Sequence, residues 1–269
     1  MRYLLITLRN LMLSFIFIYL MFGFSLYAAQ DHLILPGDNL EFYDCQNLPQ
    51  NAEPFNYMNE RFFYSNKSSD SIVIMYHGNA GSGCAFRDLA VMLEDTNTSY
   101  ILSVYPGFAG DQRKQNIENM LSYTKIIDNF IEDSGYQKEK SMIIGFSIGA
   151  AVASHHVHNE NFGEIFLISP FFKLSELTQS LLPFYPTRLM LRNDLQNDYW
   201  LNDFKGIINI AYGTNDLTIP NSHTTKLINN LENKGKRINE YKIENVNHNN
   251  IMGDYNLLNI IKERIITSN

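Results

Sequence analysis

Cysteine is almost absent from this sequence: Cys45 and Cys84 are the only two in 269 residues. Two thiols so far apart supply neither a zinc-ligand quartet nor the staples of a miniprotein, although in an oxidising compartment they can close one disulfide. No cluster of lysine and arginine stands out either, and the formal net charge is −7, which argues against a nucleic-acid partner. Internal repeats and low-complexity linkers are missing. With 45% hydrophobic residues, one large domain with a substantial core is the default expectation. The first 29 residues contain no acidic side chain, and Arg2 and Arg9 are their only charges.

An apolar run from Leu11 to Ala29 comes directly after those arginines. A basic start and an apolar middle read as an export signal outside the fold. The small-x-small cleavage pattern is not met, because a cut after Ala28 leaves Leu26 three residues before the bond and a cut after Ala29 leaves Tyr27 there. The run also lies near the lower limit of about 17–25 residues for crossing a bilayer, so an uncleaved anchor with its basic residues in the cytoplasm is the rival reading. Both readings place residues 30–269 outside the cytoplasm, periplasmic, secreted or tethered, and allow membrane association through residues 11–29.

Downstream, short β-rich runs alternate with helical stretches. The runs are Ser71–Tyr76, Tyr100–Tyr105, Ser141–Gly145, Glu164–Ser169, Ile207–Tyr212 and Asn239–Ile243, several apolar nearly end to end, as parallel strands covered on both faces are. Helix-like spacing marks Phe86–Glu94, Ile117–Ser134, Ile148–His158, Ser222–Asn233 and Asp254–Ile266. Strand, helix, strand in this order predicts a mainly parallel twisted sheet with helices on both faces. Leu40–Tyr43 and Arg61–Tyr64 read as short antiparallel strands at its edge. Residues 170–204 break the alternation with an apolar, aromatic stretch that suits a small lid, and Phe171, Phe172, Leu182, Phe184 and Tyr185 are its candidate substrate-facing residues. Ordinary core helices are the plainer account of the same stretch.

Chemistry concentrates in four places. Gly145-Phe146-Ser147-Ile148-Gly149 follows a predicted strand and opens a small-residue helix, the context of a G-x-S-x-G nucleophile elbow. A serine hydroxyl needs a histidine to take its proton and a carboxylate to hold that histidine. Asp216, in Gly213-Thr214-Asn215-Asp216 just beyond a late strand, is the candidate acid, although a turn aspartate looks the same locally. His248, in a polar loop before the last helix, is the candidate base; His155, His156 and His158 diverge around one helix, and His223 and His32 are badly placed. The loop His77-Gly78-Asn79-Ala80-Gly81 after the first strand can aim a backbone N–H inward, so Asn79 and Ile148 are the candidate oxyanion donors, with His77 a structural hydrogen-bonding residue. A P-loop reading of that segment fails, since Cys84 and Ala85 stand where Lys and Ser/Thr are required.

Taken together, these segments resemble the Bem46-like branch of the α/β-hydrolase superfamily, whose members carry an H-G-N-A-G loop, a G-x-S-x-G elbow, a G-T-x-D turn and a late histidine. Here they read His77 to Gly81, Gly145 to Gly149, Gly213 to Asp216 and His248-Asn249, and the similarity covers roughly residues 60–265, including Ser169-Pro170-Phe171 and Leu182 to Pro186. The chain departs from the pattern at Asn247, where the family has Gly, and at Asn250, where it often has Asp. The resemblance implies an α/β-hydrolase fold and serine-ester chemistry without metal or cofactor. Substrates do not transfer, since members range from lysophospholipid hydrolysis to removal of fatty acyl groups from protein cysteines.

The expectation is thus a serine hydrolase acting through Ser147, His248 and Asp216 on a small-molecule or lipid-like acyl substrate, ester or thioester. A serine peptidase of the same fold and a membrane-tethered binding module without turnover are the alternatives.

Overall fold

The computed structural model describes residues 1–37, 42, 45, 47–79 and 81–268. The predicted strand Leu40–Tyr43 falls outside the described residues except for Phe42.

An eight-stranded sheet is the organising layer. It begins with an antiparallel hairpin, β1 (Glu53–Tyr57) and β2 (Glu60–Ser65), followed by β3 (Ile72–Tyr76), β4 (Ser99–Ser103), β5 (Met142–Phe146), β6 (Glu164–Ile168), β7 (Ile207–Gly213) and β8 (Ile238–Ile243). Across the sheet the order is β1-β2-β4-β3-β5-β6-β7-β8. β2 joins β4 antiparallel and every later pairing is parallel. Every residue of β3, β4 and β6 is buried, which is why their interiors are apolar, with Ser99, Ser103 and Glu164 the buried polar residues at strand ends. Each Val, Ile or Leu taken out of water there contributes about 1.5–3 kcal/mol.

Arg61–Tyr64 lies within β2, one strand in from the margin, and β1 forms the margin itself. The hairpin between them turns on Met58 and Asn59, both at positive φ (49° and 66°). That geometry is the mirror-image turn whose twist matches paired strands, but Met-Asn lacks the glycine that makes such turns readable.

The helices are α1 (Arg2–Ile34), α2 (Arg87–Leu93), α3 (Ile117–Asp133), α4 (Ile148–Val157), α5 (Leu174–Leu181), α6 (Thr187–Met190), α7 (Asn197–Trp200), α8 (Asn221–Asn233) and α9 (Tyr255–Ser268). α3 shows why: Asn116 caps it through the Asn119 N–H at 2.7 Å, and Ile117, Met120, Tyr123, Ile127, Phe130 and Ile131 form its buried face. Asp128 interrupts that face. Lys138 reaches its carboxylate at 2.5 Å, and buried His156, hydrogen-bonded to the Tyr76 hydroxyl at 2.7 Å, packs beside it. Burial alone would raise the Asp128 carboxyl, and His156 and Lys138 outweigh it and lower it instead.

Residues 170–204 divide in two. Phe171, Leu195, Trp200, Leu201 and Phe204 are buried in the core, and Asn197 accepts a hydrogen bond from Ser154 of α4 at 2.7 Å. By contrast α5, α6 and the turn between them form an outer cap that α1 packs against.

Cys45 and Cys84 are joined in a disulfide, Cα to Cα 5.4 Å, which ties the segment before β1 to a single 3₁₀ turn, Gly83–Phe86. The two residues are 39 apart in sequence. Closing a loop of that length removes about 4 kcal/mol of unfolded-chain entropy on the loop-closure account. The Cys45→Ser, Cys84→Ser double variant should therefore lose about 2–4 kcal/mol of stability in urea denaturation; an unchanged midpoint would show that the bridge does not hold the fold.

Candidate active site

The site is built where two pieces of backbone cross. Gly149, at the start of α4, lies so close to the end of β3 that a Cβ on it would stand 2.1 Å from the Tyr76 carbonyl oxygen. A Cβ on Gly145 would stand 2.3 Å from the Gly149 oxygen. No other residue fits at either position without displacing main chain. Between them Ser147 adopts φ 57°, ψ −119°, a conformation costing about 1–3 kcal/mol for a residue with a Cβ. Its N–H donates to the Ile168 carbonyl at 2.9 Å, which fastens the turn to β6.

Around that hydroxyl the structure brings together three side chains distant in sequence. His248 Nε2 is 3.0 Å from Ser147 Oγ, and His248 Nδ1 is 2.7 Å from Asp216 Oδ2. A carboxylate can only accept, so Nδ1 carries the proton and Nε2 is left bare to accept from the serine. Ser147, Asp216 and His248 are 8%, 4% and 8% exposed, low enough that solvent does little to weaken these contacts. The Phe146 ring packs against the imidazole, centroids 5.0 Å apart.

Asp216 is itself held in place. Its other oxygen, Oδ1, accepts from the backbone N–H groups of Thr218 and Ile219 at 3.0 and 2.8 Å. Burial pushes the carboxyl up, but the hydrogen bonds from His248 and Ile219 outweigh it and hold the group below the ordinary aspartate range. The aspartate therefore stays ionised through the neutral range. Those two amides were not legible as site residues, since any Asp followed by a turn carries the same local signature.

Gly78 lies against the elbow: a Cβ on it would be 3.6 Å from Ser147 Cβ. Among the described residues, neither the Asn79 nor the Ile148 N–H donates to a backbone carbonyl. His77 is fully buried. Its Nδ1 donates to the Gly78 carbonyl at 2.8 Å, its ring packs on Tyr105 with centroids 4.1 Å apart, and the Tyr105 hydroxyl holds the His77 carbonyl at 2.9 Å. This clamp of Tyr105 on His77 had no signature in the sequence.

The remaining candidates are spread more widely. Phe171 is in the core, and Phe172 is buried under the Lys226 ammonium, 4.4 Å from its ring centroid. Leu182 is half-buried, Phe184 is 86% exposed, and the Tyr185 ring stacks on Tyr19 of α1. Among the described residues no group of three or more His, Cys, Asp or Glu is arranged to hold a metal ion.

No protein-family model matches the chain. Two uncharacterised proteins from two strains of Mycobacterium tuberculosis are each 23% identical over 168 residues, 62% of this chain and 60% of theirs. The chain thus spans less than two thirds of the curated relatives it matches. Among solved structures, esterase 2 of Thermogutta terrifontis superposes with a TM-score of 0.63 at 16% identity, over 81% of this chain and 95% of that one. That esterase has also been solved with butyrate bound and phosphonylated by sarin. An esterase of Pyrococcus furiosus superposes with a TM-score of 0.61 at 13% identity, over 78% and 87% of the two chains. The chain has the α/β-hydrolase fold.

Burial pushes the His77 imidazole down to about 4. The unfolded chain protonates this histidine near pH 6.5, so between that value and about 4 the unfolded state binds more protons and stability falls as the pH falls. Urea denaturation of wild type from pH 7 to 4 should show that decline, and His77→Asn should flatten it by on the order of 3 kcal/mol. Equal slopes would show that His77 is not buried in its neutral form.

Proposed function

We propose that this chain is a serine hydrolase of carboxylic esters or thioesters, with Ser147 as nucleophile, His248 as general base and acid, and Asp216 as the group that fixes the histidine. The observation that carries the reading is the hydrogen-bond chain from Asp216 Oδ2 to His248 Nδ1 at 2.7 Å and from His248 Nε2 to Ser147 Oγ at 3.0 Å. The esterases that share the fold support it, including one solved with butyrate bound. The Bem46-like motifs are its finer assignment.

In this reading Ser147 Oγ attacks the acyl carbonyl as its proton passes to His248 Nε2, and the cation so formed is stabilised by the ionised Asp216. Negative charge develops on the carbonyl oxygen, where the N–H groups of Ile148 and Asn79 receive it. Collapse breaks the bond to the alcohol or thiol, which leaves with the proton from His248. Water, deprotonated by His248, then attacks the acyl-enzyme and releases the acid and the free serine. Strain at Ser147 belongs to this mechanism, since it presents the hydroxyl above the sheet before substrate arrives. No step calls on a cofactor or metal.

The acyl group is assigned to the apolar stretch of residues 170–204, with Phe171 and Phe172 as its buried base and Leu182, Phe184 and Tyr185 as its more exposed part. Only Ser169 and Pro170 separate Phe171 and Phe172 from β6, whose last residue receives the Ser147 N–H. Residues 1–29 are assigned to export, as signal or anchor, and residues 30–269 to the hydrolase domain outside the cytoplasm. α1 continues past that boundary to Ile34.

A fluorophosphonate probe should label wild type and fail to label Ser147→Ala; equal labelling of both disproves the nucleophile. Asp216→Asn should keep the fold and lower kcat by about 10⁴, the cost of presenting the wrong imidazole tautomer. Across p-nitrophenyl esters of increasing chain length, kcat/KM should rise beyond acetate, and an optimum at acetate would refute the apolar acyl surface.

A further inference from the structure

We propose that α1 is retained in the working protein and that the cap lies with it in a lipid bilayer, the segment Leu181–Met190 immersed beside the anchor. The proposal takes from the export reading only that α1 meets a membrane, and it does not depend on the hydrolase chemistry.

Three observations carry it. The first is contact upstream of either candidate cleavage point. Tyr19 stacks on Tyr185 with centroids 4.5 Å apart and donates its hydroxyl to the Phe184 carbonyl at 2.7 Å, while the Tyr185 hydroxyl donates to the Tyr19 carbonyl at 3.2 Å. Gly23 makes room for this, since a Cβ there would stand 3.2 Å from Tyr185 Cε1. A cut after Ala28 or Ala29 removes all of these contacts.

The second is where water-compatible groups begin. Gln30 is the one residue of α1 that is buried; its amide nitrogen donates to the Met190 carbonyl at 3.2 Å and its oxygen accepts from the Arg192 N–H at 2.9 Å. Next to it Asp31 pairs with Lys114 and Arg192 at 3.0 and 3.3 Å, and the Arg192 guanidinium lies over the Tyr27 ring. A tyrosine ring at the end of an apolar helix, beside the first ionised groups, suits a headgroup boundary, where tyrosine is enriched. Tyr19 precedes Gln30 by eleven residues, about 16 Å of helix at 1.5 Å per residue. The cap residues seated at Tyr19 are thus carried well to the apolar side of that boundary. No residue of the most apolar window of α1 is buried by protein, and lipid is the solvent that covers such a surface.

The third is how the cap treats its own backbone. Leu181–Met190 carries one charge, Arg188, and shows Leu181, Phe184 and Leu189 at 58%, 86% and 87% exposure. Only some of the carbonyls in its turn have backbone partners, and side chains cover most of the others. Gln179 Nε2 donates to the oxygens of Pro183 and Tyr185 at 3.3 and 2.9 Å, Tyr19 covers that of Phe184, and the Tyr185 N–H covers that of Leu182 at 3.1 Å. In water such carbonyls need no partner. In hydrocarbon each must have one. Exposed apolar side chains over a turn whose carbonyls from Leu182 to Tyr185 all have partners suit a loop that meets lipid.

The test uses the full chain, isolated from cell membranes and reconstituted in vesicles of phosphatidylethanolamine and phosphatidylglycerol, with a benzophenone side chain at position 15, 184, 189 or 205. Intact mass should show α1 retained, and a chain beginning at Ala29 or Gln30 overturns the proposal. Phospholipid adducts should form at 15, 184 and 189 and not at Lys205, which lies just before β7 at the far end of the sheet. Adducts at 15 alone overturn the placement of the cap while leaving an anchor; none at 15 overturns both. Gly23→Leu, which leaves α1 apolar and displaces Tyr185, should lower adducts at 184 about tenfold, the worth of one to two lost hydrogen bonds, and leave those at 15 unchanged. Unchanged yield at 184 in that variant would overturn the role of α1 in seating the cap.

Discussion

Everything at the candidate site depends on one steric event, the passage of the α4 N-terminus across the end of β3 at a separation only glycine permits. Gly149 lies against the Tyr76 carbonyl and Gly145 against Gly149. That crossing forces Ser147 into positive φ and leaves the Ile148 N–H in the first turn of a helix, where it has no intrahelical partner. The strain is tolerable because two neighbouring strands hold the turn: β5 leads into it and β6 receives the Ser147 N–H.

A parallel sheet then does the rest of the positioning. Strands β3, β5, β6 and β7 end at the same edge, so the loops after them converge although they are far apart in sequence. Asp216 is fixed by two backbone amides of its own turn, and His248 is fixed by Asp216 on one nitrogen and Phe146 on its face. Each member of this hydrogen-bond chain is thus held by neighbouring groups, which fixes the geometry without mobile side chains.

The same edge carries the cap, and through it the N-terminal helix. α1 and the α5–α6 segment share hydrogen bonds and a stacked aromatic pair, so the N-terminal helix and the cap form one surface. Tyr19, Gln30 and Gln179 in that surface each donate to a backbone carbonyl.

The sequence by itself determined the sheet and the elbow, because both are local statements. An apolar run of five or six residues reports burial on both faces, and two glycines flanking a serine after such a run report a crossing that no other residue allows. It also singled out Asp216 and His248 by their place after strands. It did not carry anything written between distant segments. The β1 edge turned on Met58 and Asn59 without a glycine to announce it, the division of residues 170–204 into core and cap depended on what each half meets, and Tyr105 on His77 and Tyr19 on Phe184 are bonds across long stretches of chain. Patterns of hydrophobicity specify which side of an element is buried, but not its partner; only the folded chain, by bringing those surfaces together, decided that the cap rests on the N-terminal helix and that the hydroxyl, imidazole and carboxylate meet.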